Sequence, residues 1–109
     1  MKYNLDILHS VKQGRRSGKT VSAIMDAIGT IMVTENEKIP FIISRMNRVA
    51  DIKPIFHDIC VSHFNEEPIF YDMFTFGIKG YSSTLHFIGL EQSREKLKGF
   101  KMIPIDDLG

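Results

Sequence analysis

Gln13-Gly14-Arg15-Arg16-Ser17-Gly18-Lys19-Thr20 is the stretch on which the reading of the whole chain turns. Before it, Leu5 to Val11 alternates like a strand, with Leu5, Ile7, His9 and Val11 on one face and Leu8 on the other. After Gly18 the period changes. Val21, Ile24, Ile28 and Ile31 recur at steps of three and four, with Ala27 and Met32 widening the stripe. That pattern predicts a helix to about Val33. A Gly-Lys-Thr between a strand and a helix is placed to cradle phosphate. Backbone N–H groups at the loop and the helix start face the anion, Lys19 reaches the terminal phosphates, and the Thr20 hydroxyl can meet Mg2+. The full pattern asks for glycine with four residues between it and Gly18; Gln13 stands there, with Gly14 one place later. A basic, solvated loop capping a helix is the bland alternative.

Size and composition suit one domain. The chain has 109 residues, 43% hydrophobic and 25% charged, as in an ordinary globular protein. A net charge of +1 gives no whole-molecule argument for nucleic acid. The charges are nevertheless uneven. Lys12, Arg15, Arg16 and Lys19 crowd one loop, where mutual repulsion favours a bound anion; Arg94, Lys96, Lys98 and Lys101 form a second group that reads as a solvated face. A single cysteine, Cys60, excludes an internal disulfide and suits a reducing compartment. No secretory pattern opens the chain, and no apolar run approaches the ~20 residues that span a bilayer. The expected location is the cytoplasm.

Further along, Thr34 to Lys38 reads as a polar link and Phe41-Ile42-Ile43, after Pro40, as a short strand buried on both faces. Strand, helix and strand make a βαβ unit. Asn47 to Phe64 reads as a second helix whose buried stripe is Val49, Ile52, Ile55, Phe56, Ile59 and Cys60, kinked or restarted at Pro54. Ile69 to Phe76 and Thr84 to Ile88 read as two strands of a hairpin around Lys79-Gly80-Tyr81-Ser82-Ser83. Gln92 to Leu97 fits one helical turn. Lys101 to Ile105 is a last apolar run, interrupted by Pro104 and closed by Asp106 and Asp107.

That acidic ending is the second nucleotide signal. A buried strand ending in one carboxylate for Mg2+ and a second to take a proton from attacking water is how phosphate-loop hydrolases complete their site. An acidic cap on an edge strand is the simpler alternative. His57, Cys60 and His63 stand three residues apart, and on a helix each step of three drifts by about 60°. They therefore diverge, and we read the cysteine as core and the histidines as surface or packing. The phenylalanines at 56, 64, 70, 74, 76 and 87 read as core.

Taken in order, these pieces resemble the N-terminal ATPase region of a tailed-phage terminase large subunit, the DNA-packaging motor. Gly14 to Thr20 is similar to that family's variant phosphate loop, with Arg15 four places before the lysine. Phe41-Ile42-Ile43-Ser44-Arg45 resembles its second strand with a trailing arginine. Phe87-Ile88-Gly89-Leu90, then Lys96-Leu97-Lys98-Gly99, then a strand ending in acids, resembles its acidic-pair region. The resemblance covers nearly all of the chain. It implies an α/β fold: a P-loop NTPase-like three-layer core with a partly parallel sheet, an added β-hairpin and two main helices.

The resemblance also implies roles. Gly14, Arg15, Arg16, Ser17, Gly18, Lys19 and Thr20 would hold ATP, with Thr20 and Asp106 serving Mg2+. Arg15 would act as an arginine finger and Asp107 would stand in place of the family's catalytic glutamate, one methylene shorter. Residues 1–109 would form a single ATPase-like domain, incomplete relative to the family and lacking its nuclease domain. Double-stranded DNA, a portal and a small terminase subunit are the implied partners, in a host cytoplasm and without a membrane. A non-catalytic, terminase-like interaction protein that binds a packaging partner is the rival expectation. A nucleic-acid-binding domain using Arg15 and Arg16 on phosphates is a third.

Overall fold

A sheet of five strands organises the molecule, and a computed structural model describes it over residues 17–107. The strands are β1 (Lys38–Ile43), β2 (Pro68–Asp72), β3 (Thr75–Ile78), β4 (Thr84–Gly89) and β5 (Ile105–Asp107), in the spatial order β2-β3-β4-β1-β5. β1 lies parallel to both neighbours, with Phe41 opposite Phe87 on one side and Ile105 on the other. β3 runs antiparallel to both β2 and β4. The sheet is thus partly parallel with an antiparallel extension, and the expected hairpin around Lys79–Ser83 joins β3 to β4. The expected strand Leu5–Val11 and the loop residues Gln13 to Arg16 lie outside the described residues.

Two long helices pack on one face. Helix α1 (Ser17–Val33) buries Val21, Ala23, Ile24, Ala27, Ile28 and Ile31, the stripe its three- and four-residue spacing dictates. Helix α2 (Val49–Ser62) buries Val49, Ile52, Phe56, Ile59 and Cys60, and a 3-10 turn at Met46–Arg48 leads into it. These residues form one core with Ile39, Phe41 and Ile43 of β1, Phe76 and Ile78 of β3, and Leu85 and Phe87 of β4. Strand alternation puts Ile42 and Ile88 on the other face, and both are buried too. That face is crossed by the link from β4 to β5, which must pass over β1 because the two strands flank it. The link carries a 3-10 turn (Leu90–Gln92), the short helix α3 (Ser93–Lys96) and a second 3-10 turn (Leu97–Gly99). Beyond it, the Phe100 ring sits 5.7 Å from that of His86, also on the second face. The third layer is therefore this crossover rather than a long helix.

Local rules explain where the structure departs from the sequence reading. Ile69 to Phe76 is two strands, because the Asp72 carboxylate accepts the Phe74 N–H at 2.8 Å and closes a tight turn. The last strand starts after Pro104 instead of running through Lys101 to Ile105, so both acids lie inside it, Asp106 opposite Ile42 and Asp107 opposite Ile43. β1 begins at Lys38 and includes Pro40. The Thr84 N–H donates to the Glu37 carbonyl, so odd-numbered residues of β1 turn their polar groups to β4 and even-numbered ones to the β5 side. Pro40 faces that side one residue before β5 pairing begins at Phe41, so its missing N–H leaves no gap in the ladder. Pro54 neither stops α2 nor restarts it; the helix runs through, with Pro54 and Ala50 both exposed, so the carbonyl deprived of its donor can meet water.

A polar lock sets the end of α1. The Thr34 hydroxyl donates to the Thr30 carbonyl at 2.7 Å and receives the hydroxyl of buried Ser83 at 2.7 Å. Ser83 Oγ also accepts the Glu37 N–H at 3.1 Å, and Ser82 Oγ accepts that of Asn36 at 2.8 Å. Asn36 turns the chain with φ of 56°, a left-handed conformation that asparagine tolerates. The C-terminus of α1 is thereby tied to the start of β4. Among the described residues, no helix is long and apolar enough to cross a membrane.

Candidate nucleotide site at the strand ends

Because α1 is pinned to the start of β4 and packs against β1, β4 and β5, its direction along the sheet follows. Seventeen residues at 1.5 Å each carry it back about 25 Å, the length of the sheet and more. Its first turn therefore lies at the edge where β1, β4 and β5 end. Lys19 is exposed in that turn and Thr20 is buried. Ser17 and Gly18 open the helix backbone. Gly14, Arg15 and Arg16, expected to wrap the anion, lie outside the described residues.

Asp106 reaches the same edge from the other side. Asp106 is exposed, and its pairing with Ile42 places it on the face away from α1. Lys19 and Thr20 thus share a sheet edge with Asp106 but not a sheet face. A ligand contacting all three would have to bend around the end of β5. Among the described residues, no three histidine, cysteine or acidic side chains stand close enough to hold a metal ion. The residues fit Mg2+ only as partial ligands, a hydroxyl and a carboxylate beside a phosphate that supplies the rest.

His57 Nδ1 sits 2.9 Å from the Asp58 carboxylate at the surface, while Cys60 is fully buried.

One feature of the edge was not legible in the sequence. Between the ends of β1 and β4 lies a cavity of about 310 Å³ lined by Ser44, Arg45, Met46, Gly89, Glu91 and Gln92. The chain leaves β1 toward the helical face, through α2, and leaves β4 toward the other face, through α3. Adjacent parallel strands whose connections part in this way open a crevice at their carboxyl ends, the usual ligand position of open α/β sheets. Only the neighbourhood of β1 and β4, separated by forty residues of sequence, reveals it. No protein-family model, curated protein or solved structure matches the chain.

Proposed function

We propose that the protein binds ATP with Mg2+ at this edge, as the nucleotide core of a terminase-type DNA-packaging ATPase. The observation that carries the reading is the convergence of the helix behind Gly14-Arg15-Arg16-Ser17-Gly18-Lys19-Thr20 and the acid-bearing strand β5 on one end of the sheet. Lys19 would meet the β- and γ-phosphates, Thr20 would serve the metal, Asp106 would reach it through water around the end of β5, and Arg15 would offset charge on the transferred phosphoryl group. Asp107 would orient the attacking water. Bound Mg2+ would supply charge neutralisation at the phosphate oxygens. The reading requires the Leu5–Val11 strand at the outer edge of β5, which has no partner among the described residues.

The test is the affinity of a fluorescent ATP analogue, with and without Mg2+, for the parent chain and Lys19→Ala. Lys19 is exposed, so its removal leaves the fold intact. Loss of one charge-assisted contact is worth about 1.5–3 kcal/mol, on the order of 10- to 150-fold in Kd. Equal affinities for the two proteins end the proposal. A Mg2+-dependent loss of that size supports it.

A further inference from the structure

The cavity between β1 and β4 plays no part in the phosphate-loop reading, and its lining is chemically mixed. Arg45 and Glu91 bring opposite charges to it, and the Ser44 hydroxyl and Gln92 amide add a donor–acceptor pair each. Gly89 and Met46 complete the lining. A Cβ at Gly89 would stand 3.2 Å from Met46 Cγ, so glycine lets the Met46 side chain close against the end of β4. At about 310 Å³ the space suits one small molecule. It does not suit a polymer backbone, because Glu91 would repel a run of phosphates that Arg45 alone would have to hold.

We propose that this crevice is a binding site for a small phosphorylated polyhydroxyl compound, a sugar phosphate or a nucleoside monophosphate. Arg45 takes the phosphate through its planar fork of N–H donors. Glu91 accepts hydrogen bonds from hydroxyl groups, which a carboxylate does well and a phosphate-only ligand cannot use. Gln92 and Ser44 fix orientation. The site is distinct from the Lys19 turn in its lining, to which α1 contributes no residue.

The experiment titrates ribose 5-phosphate, adenosine monophosphate and inorganic phosphate separately into the 15N-labelled full chain and follows the amide resonances. Ribose 5-phosphate or adenosine monophosphate should move the Ser44, Gly89 and Gln92 amides, with the stronger of the two naming the ligand class. Arg45→Gln should weaken that binding by at least tenfold. Glu91→Gln should weaken the hydroxyl-bearing ligand and leave inorganic phosphate unchanged or tighter. Lys19→Ala should leave all three titrations as they were. Both Arg45 and Glu91 are exposed, so neither replacement threatens folding. No shift with either organic phosphate, shifts centred on Lys19 and Thr20, or equal affinity in Arg45→Gln overturns the proposal. Because ATP binding is read separately with Lys19→Ala, failure here and failure of the ATPase reading are distinguishable.

Discussion

Cys60 shows how much a single residue's environment decides. It sits on the buried stripe of α2 with no exposed surface, and burial, aided by the negative charge of Glu66, pushes its thiol up from 9.0 to about 12. A thiol in this state is inert, because the thiolate is the nucleophile. At pH 8 a disulfide reagent such as Ellman's should leave the folded protein untouched and titrate one thiol after unfolding. The sign of the pH effect follows from the same shift. The folded state favours the neutral thiol, so this contribution to stability is complete below about pH 9 and is lost progressively between 9 and 12. Urea midpoints measured across that window should fall more steeply for the parent than for Cys60→Ala, which removes the titrating group. Parallel curves, or rapid labelling of folded protein, would contradict the burial.

At the scale of elements, the legible parts of the fold were those decided by neighbours in sequence. The stripes of α1 and α2 stood out because period alone selects Ile24, Ile28 and Ile31 or Ile52, Phe56 and Ile59. The Lys79–Ser83 turn stood out through Gly80, whose φ of 90° few other residues accept. The turn at Asp72 was hidden, since one side-chain hydrogen bond makes it and neither glycine nor asparagine marks it. The start of β5 was hidden because its ladder is set by β1, sixty residues away. For the candidate site, Lys19, Thr20 and Asp106 were legible as types, and their shared edge is a product of the Thr34–Ser83 lock. Their opposite faces follow from register, which a one-residue slip would reverse. Pro54 offers a test at this scale. A proline inside a helix normally costs up to ~3 kcal/mol, through the lost N–H bond and the ring's clash with the preceding turn. Proline's restriction of the unfolded chain offsets up to about 1 kcal/mol of this. Pro54→Ala should therefore stabilise the protein by about 1–2 kcal/mol in urea denaturation, and unchanged or lower stability would show that the local backbone has already relaxed around the ring.

For the whole molecule, the question is whether the antiparallel end and the parallel end that bears the candidate site form one cooperative body. The radius of gyration, 13.1 Å, is what a compact chain of this length should have. The aromatic contacts supply the mechanical link. The Phe76 ring in β3 lies 5.2 Å from Phe56 of α2, 4.7 Å from Phe70 of β2 and 4.7 Å from Phe87 of β4. Phe87 in turn lies 5.1 Å from Phe41 of β1, which completes a chain of rings from the edge hairpin to the strand whose end lines the crevice. Phe76→Ala removes the ring on which three elements meet. A buried Phe→Ala change costs about 3–5 kcal/mol, against a total stability of about 5–15 kcal/mol for a domain of this kind. With a urea slope near 1–3 kcal/mol per molar, the midpoint should fall by on the order of 1–5 M. The fall should appear as one transition, coincident by circular dichroism and tyrosine fluorescence, and amide exchange should speed up in β1 and β4 as well as in β2 and β3. If β2 and β3 loosened alone, giving two separated transitions while Ile39 to Ile43 kept their protection, the hairpin would be an appendage. The crevice and the end of α1 would then owe their geometry to the parallel strands and the two long helices without it.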